Sequence, residues 1–126
     1  MADAPFIVVD TALDTPPYVQ IVEQIRGAIL RGDLPGNAAL PTVRQLAGDL
    51  GVAPNTVARA YTDLQSSGWL VGEGRRGTRV ADPSPAIDDG ERDRVLQESV
   101  TRFVSTLSHR GFSKAQIAAA FRAVPN

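Results

Sequence analysis

Leu40-Pro-Thr-Val-Arg-Gln-Leu-Ala-Gly-Asp-Leu-Gly-Val-Ala-Pro-Asn-Thr-Val-Ala-Arg-Ala-Tyr61 is the stretch that decides the fold. Thr42 and Gln45 have the spacing of a capping box, so a helix opens there, with Val43, Leu46, Ala47 and Leu50 as its buried stripe. Gly51 is placed to stop that helix, and Pro54 suits the first turn of the next. The inward face of this second helix is Val57, Ala60, Tyr61 and Leu64, and it should end near Gly68. Two short helices joined by a turn of about four residues containing Gly make a helix-turn-helix unit. Ala47 is small where the helices cross, Gly51 takes a conformation that a β-carbon disfavours, and Val57 locks one helix on the other.

Upstream, Phe6 to Val9 is a short apolar run that reads as an edge strand. Pro16-Pro17 then opens a helix in which Ile21, Val22, Ile25, Ala28 and Ile29 recur at helical spacing through Arg31, until Gly32 stops it. Gly32-Asp-Leu-Pro-Gly36 reads as a turn. Downstream, Trp69-Leu-Val71 and Thr78-Arg-Val80 are strand-like runs joined by Gly72-Glu-Gly-Arg-Arg-Gly77, a hairpin with a basic tip. Pro83 and Pro85, among small and acidic residues, mark a linker over 81–90. Beyond it, Leu96, Val100, Phe103, Val104 and Leu107 give a long amphipathic helix ended by Gly111, and Ser113 caps a shorter one bearing Ile117, Ala120, Phe121 and Val124. The expected architecture is therefore mainly α with a small β-hairpin. A winged helix-turn-helix domain (1–80) precedes the linker (81–90) and a two-helix segment (91–126).

Composition removes several classes of function. The 126 residues suit one domain, or a small domain with an appendage, and leave no room for a large multidomain enzyme. Hydrophobic and charged fractions of 43% and 21% are ordinary for a folded soluble chain. With no Cys and one His, disulfides, thiolate nucleophiles and Cys-ligated or His-clustered metals are not expected, and no cofactor is. A Ser-His-Asp triad has no support, because the lone His109 sits in the C-terminal segment and reads as a helix-end cation. The N-terminus lacks a basic leader region and no run of about 18 apolar residues occurs, so a cytoplasmic, membrane-free protein is expected.

Charge supplies a local signal. The net charge is -1, yet 41–80 carries +2 and the rest -3. Of the 13 basic residues, 12 are Arg, whose planar fork suits phosphate and guanine edges. Asn55, Arg59, Thr62 and Ser66 lie on the outer face of the second helix of the motif, with Thr56 beside them at its N-terminal end. Asn can pair with adenine, Arg with guanine or phosphate, and a Thr methyl can meet the thymine methyl. Arg44 falls in a first helical turn, where the dipole disfavours a cation and an external anion would offset the cost. Arg75 and Arg76, with Arg79 nearby, form a positive prong suited to phosphates or a minor groove. Read singly, such arginines are often solvated hairpin charges; beside the second helix they read as a DNA-facing wing. Trp69, Tyr61 and Phe121 read as core aromatics rather than a base-stacking platform.

Taken together, Pro17-Tyr-Val-Gln-Ile21, Leu40 to Ala47, Leu50-Gly-Val-Ala-Pro-Asn-Thr-Val57, Arg59-Ala-Tyr61 and Gly77-Thr-Arg-Val80 resemble the GntR family of bacterial transcriptional regulators, in its short YtrA-like branch. The resemblance covers about Pro16 to Val80 by motif, and the two C-terminal helices fit the branch in length and number. It implies a sequence-specific repressor that binds a palindromic double-stranded DNA operator as a homodimer. Carried over by position, Arg44, Asn55, Thr56 and Arg59 are expected base or phosphate contacts, and Gly77-Thr78 the minor-groove element of the wing. The chain departs from the pattern at Ala53, where a polar cap is usual, and at Gly74-Arg-Arg-Gly77, where Arg-Gly-x-Gly is commoner.

Two C-terminal helices of about 35 residues are too few to bury their apolar faces alone. Dimerisation through Leu96, Val100, Phe103, Leu107, Ile117 and Phe121 would solve that problem, and would set two recognition helices about a two-fold axis. That segment is too short to enclose a pocket of several hundred Å³ in one subunit, so a small-molecule effector, of unknown identity, would sit at an interface or hinge. The competing reading is a winged-helix protein-protein interaction module without intrinsic DNA specificity, which the acidic pI of about 5.7 favours.

Overall fold

The computed structural model describes residues 7–85 and 87–125, with the Arg76 side chain outside the described part. The chain falls into two compact units, Met1–Pro85 and Ala86–Asn126. In the first, α1 (Pro17–Arg31), α2 (Val43–Leu50) and α3 (Pro54–Ser66) precede an antiparallel hairpin of β1 (Leu70–Gly72) and β2 (Thr78–Val80). Each helix is bounded by the residues that the sequence marks. Pro17 opens α1 and Gly32 closes it at φ 85°. Thr42 and Gln45 cap α2 reciprocally, Thr42 Oγ1 accepting from the Gln45 N–H and Gln45 Oε1 from the Thr42 N–H. Gly51 ends α2 in the left-handed region at φ 69°, and Pro54 follows at the first turn of α3.

The core is where these stripes meet. Ile21, Ile25 and Ala28 of α1, Leu46 and Ala47 of α2, and Val57, Ala60, Tyr61 and Leu64 of α3 are buried with Leu34, Leu40, Leu70 and Val80. Val43, Leu50 and Trp69 are half-buried at its edge. The Tyr61 hydroxyl donates to the Pro41 carbonyl at 2.7 Å, tying α3 to the entry of α2. Burial pushes the Tyr61 phenol pKa well above its ordinary value.

The first unit departs from the expected elements at its N-terminal run and in its hairpin. Ile7 to Val9 form no strand, and Phe6 lies outside the described residues. The backbone there pairs with side chains of α1 instead. Val8 N–H donates to Gln24 Oε1 and its carbonyl accepts from Gln24 Nε2, at 3.0 and 2.7 Å. The buried Gln20 does the same for Asp10 and also donates to the Thr15 carbonyl. A carboxamide offers a donor and an acceptor together, as a neighbouring strand would. The hairpin also gains a third partner. Asn37 N–H donates to the Val80 carbonyl, Val80 N–H to Ala38 and Leu40 N–H to Thr78, all at 2.9–3.0 Å. Finally, β1 starts one residue later than the strand-like run, because the Trp69 N–H caps α3 by donating to the Leu64 carbonyl.

In the second unit, α4 (Asp89–His109) and α5 (Lys114–Ala123) are joined by a turn with Gly111 at φ 95°. Asp89 and Gly90, which composition placed in the linker, belong to α4, because Asp88 caps it by accepting from the Glu91 N–H. Ser113 and Gln116 form a capping box on α5. None of the described residues of α4 or α5 is buried. At the other end of the linker, Ala81 belongs to the first unit, buried and donating its N–H to the Trp69 carbonyl.

Candidate nucleic-acid interface

Helix α3 has one fully buried face, and its other face is polar. Three residues, Gly51-Val-Ala53, turn the chain from α2 into α3, and the two helices pack together. With Val57, Ala60 and Leu64 inward, the 3.6-residue repeat turns Asn55, Arg59, Thr62 and Ser66 outward, where all four are exposed. Tyr18, Asn55, Ala58, Arg59, Thr62, Asp63 and Ser66 line one open depression of about 550 Å³. Thr56 is half-buried beside it and does not line it. Ala53 gives α3 no side-chain cap, as the departure from a polar residue there implies.

Arg44 is exposed at the second position of α2, where the capping box satisfies the Gln45 N–H. Its charge therefore stands at the positive end of a helix dipole, an arrangement that a bound anion would relieve.

The wing tip is a single 3₁₀ turn, Gly74–Arg76, closed by Glu73 N–H donating to the Gly77 carbonyl at 2.8 Å. Gly77 sits at φ 86°, ψ -152°, a conformation essentially confined to glycine. Arg75 is exposed at this tip, Gly77 and Thr78 are half-buried, and the Arg76 side chain lies outside the described residues. Arg79 does not join the prong. Its Nε lies 3.2 Å from Glu73 Oε1, off-axis for a hydrogen bond, and Nη1 reaches the Asn37 carbonyl at 3.5 Å. It faces Glu73 because β2 pairs Arg79 with Val71, one residue from the turn that carries the acid. Among the described residues, no group of His, Asp and Glu is arranged to hold a metal ion.

The structure thus brings Asn55 and Arg59 into one groove and presents Arg44 and Arg75 on other elements. Sequence reasoning missed three members of the groove, Tyr18, Ala58 and Asp63. Arg59 stacks over the Tyr18 ring, 3.8 Å from its centroid, and donates to the Tyr18 hydroxyl at 3.2 Å. The available signal was an amphipathic ring three residues ahead of Ile21, at the very end of the α1 apolar stripe.

In the second unit, Leu96, Val100, Phe103 and Phe121 are exposed, Phe103 by 60% and Phe121 by 76%, while Leu107 and Ile117 are half-buried. Phe121 is thus no core aromatic of this chain, because a two-helix hairpin has no second layer to cover it. Val100, Phe103, Val104, Ile117 and Phe121 form the apolar floor of a groove between α4 and α5 of about 1190 Å³, open to solvent rather than enclosed.

The family model for bacterial regulatory proteins of the gntR family matches residues 17–80. Over 80 residues the chain is 45% identical to the HTH-type transcriptional regulator Rv1152 of Mycobacterium tuberculosis, covering 62% of this chain and 66%, just under two thirds, of that protein. Over 105 residues it is 36% identical to the HTH-type transcriptional repressor YtrA of Bacillus subtilis, covering 83% of this chain and 81% of that one. A crystal structure of AraR(DBD) in complex with operator ORX1 is similar at a TM-score of 0.54 and 32% identity, covering 59% of this chain and 94% of that one.

Proposed function

The chain belongs to the GntR family of bacterial regulatory proteins, and from that premise we propose that it is a cytoplasmic transcriptional repressor that grips a palindromic operator as a homodimer. In this reading helix α3 enters the major groove, and the wing meets the minor groove or the backbone. Asn55 and Thr56 read base edges, Arg59 and Arg44 take guanine or phosphate, and Arg75, Arg76, Gly77 and Thr78 hold the flanking backbone. The observation that carries this reading is the two-sidedness of α3, whose inner face is fully buried while Asn55, Arg59, Thr62 and Ser66 stay exposed. A recognition helix needs that division, because base edges can be met only by side chains that the core does not use. The operator complex of AraR(DBD) and the name of the YtrA repressor support the same reading.

The exposed stripe of the second unit supports the homodimer reading. Helices α4 and α5 bury none of their described residues in this chain, and Leu96, Val100, Phe103, Leu107, Ile117 and Phe121 are the apolar face that a second copy would cover. No helix of the described residues is long and apolar enough to cross a membrane.

The test is selection of duplexes from a randomised pool by the full chain, followed by fluorescence anisotropy over a range of salt. Enrichment of an inverted repeat with half-sites about 34 Å apart, or a multiple of that, is expected, with affinity falling as salt rises. A pool that stays unenriched would point to a protein partner for the winged domain and overturn the proposal.

A further inference from the structure

Arg59 has an acidic neighbour on its own helix, because Asp63 follows it by four residues and such positions share a helical face. Among the described residues, however, no ion pair joins the two. The Arg59 guanidinium lies over the Tyr18 ring instead, and its Nη2 donates to the Tyr18 hydroxyl. Tyr18 belongs to the first turn of α1, is half-buried and packs against the core, while α1 itself packs on α3. The ring is therefore held by the core and the guanidinium by the ring. All of this happens in the depression that Asn55, Thr62 and Ser66 also line.

Two physical consequences follow. An arginine carries a large rotamer entropy, and a side chain already held near its working position loses less of it on meeting a ligand. A guanidinium drawn onto a ring face also keeps its charge available, since the ring adds no formal negative charge, whereas a carboxylate four residues away would neutralise it. We propose that Tyr18 is a positioning residue for DNA recognition, which through its ring face and hydroxyl holds Arg59 ready in the α3 groove and away from Asp63. This rests on the DNA-binding reading above.

The experiment is a double-mutant cycle on the full chain, using the duplex that the wild type selects and a panel of its single-base variants. Tyr18→Ala should weaken binding about threefold to tenfold and alter the same readout as Arg59→Ala, either discrimination at one base step or the salt slope. In the Arg59→Ala background it should cost nothing further, and Tyr18→Phe should retain most of the wild-type affinity because the ring face survives. A ring that merely helps α1 fold would cost the same in both backgrounds, and that additivity would overturn the proposal. A second readout needs no DNA: in the free protein the Arg59 Nε–H resonance should be shifted upfield by the ring current and return to its ordinary position in Tyr18→Leu. An unshifted Arg59 resonance in the wild type would equally sink it. A wild type that selects no duplex removes the DNA-binding reading, and this role with it, whatever the resonance shows.

Discussion

In the proposed DNA interface, the exposed residues Asn55 and Arg75 should fail in different ways. Asn55 lies on α3 in the groove, so Asn55→Ala should relax discrimination at one base step, by about 1–3 kcal/mol, with little change in the salt slope. Arg75 is exposed at the tip of the wing, and Arg75→Ala should weaken binding to all sequences alike and flatten the salt slope by about one unit. Anisotropy titrations at several salt concentrations, on matched and single-base-variant duplexes, separate the two. Tyr61 makes a stability prediction at the same scale. Its hydroxyl serves the Pro41 carbonyl, so Tyr61→Phe should cost about 1 kcal/mol near neutral pH. Burial raises its folded-state pKa above the unfolded one, so the stability that the neutral phenol lends is complete below about pH 10 and is lost as the pH climbs towards the folded value. Urea denaturation at pH 7 and above pH 10 should therefore show the gap between wild type and Tyr61→Phe narrowing at the alkaline end.

Among the elements, the helix boundaries carry the most testable chemistry. Gly51 holds the α2–α3 turn at φ 69° in open space, so Gly51→Ala meets no atom and still pays the left-handed strain of about 1–2 kcal/mol. Thr42→Ala removes the side-chain half of the α2 capping box and should cost about 1 kcal/mol. Because the two sites lie at opposite ends of α2, their costs in denaturant melts should nearly add. The wing behaves differently. Gly77 also has open space where a β-carbon would stand, but its φ and ψ belong to glycine, so Gly77→Ala should disturb the 3₁₀ tip and weaken DNA binding more than it lowers global stability.

On the scale of the whole molecule, the two units face opposite burial problems. Met1–Pro85 encloses a core drawn from all three helices and the hairpin, whereas α4 and α5 expose their apolar stripe. Placing a charge on that stripe with Phe103→Asp should leave the fold of the first unit intact and abolish the proposed homodimer. Sedimentation at micromolar concentration would then report a monomer, where the wild type should sediment as a dimer. Operator affinity should fall with it, because each half-site would have to be held without its partner.

Helix order, caps and the inward faces were legible in the chain itself. Capping boxes, Pro at a first turn, Gly at a C-terminus and the 3.6-residue repeat all act between residues a few positions apart, so Thr42, Gly51, Pro54 and the Val57-to-Leu64 stripe declare themselves locally. The same repeat named Asn55 and Arg59 as outward residues. What required tertiary structure were the pairings across long separations: Gln24 standing in for a strand beside Val8, Asn37 to Leu40 joining β2, Glu73 drawing Arg79 out of the wing's prong, and Tyr18 taking Arg59 from α1. Each is a match between groups 6 to 43 positions apart, and no local rule can choose among the many partners that a donor, a ring or a cation could meet. Only the packing of α1 against α3, and of the hairpin against its neighbouring segment, makes that choice.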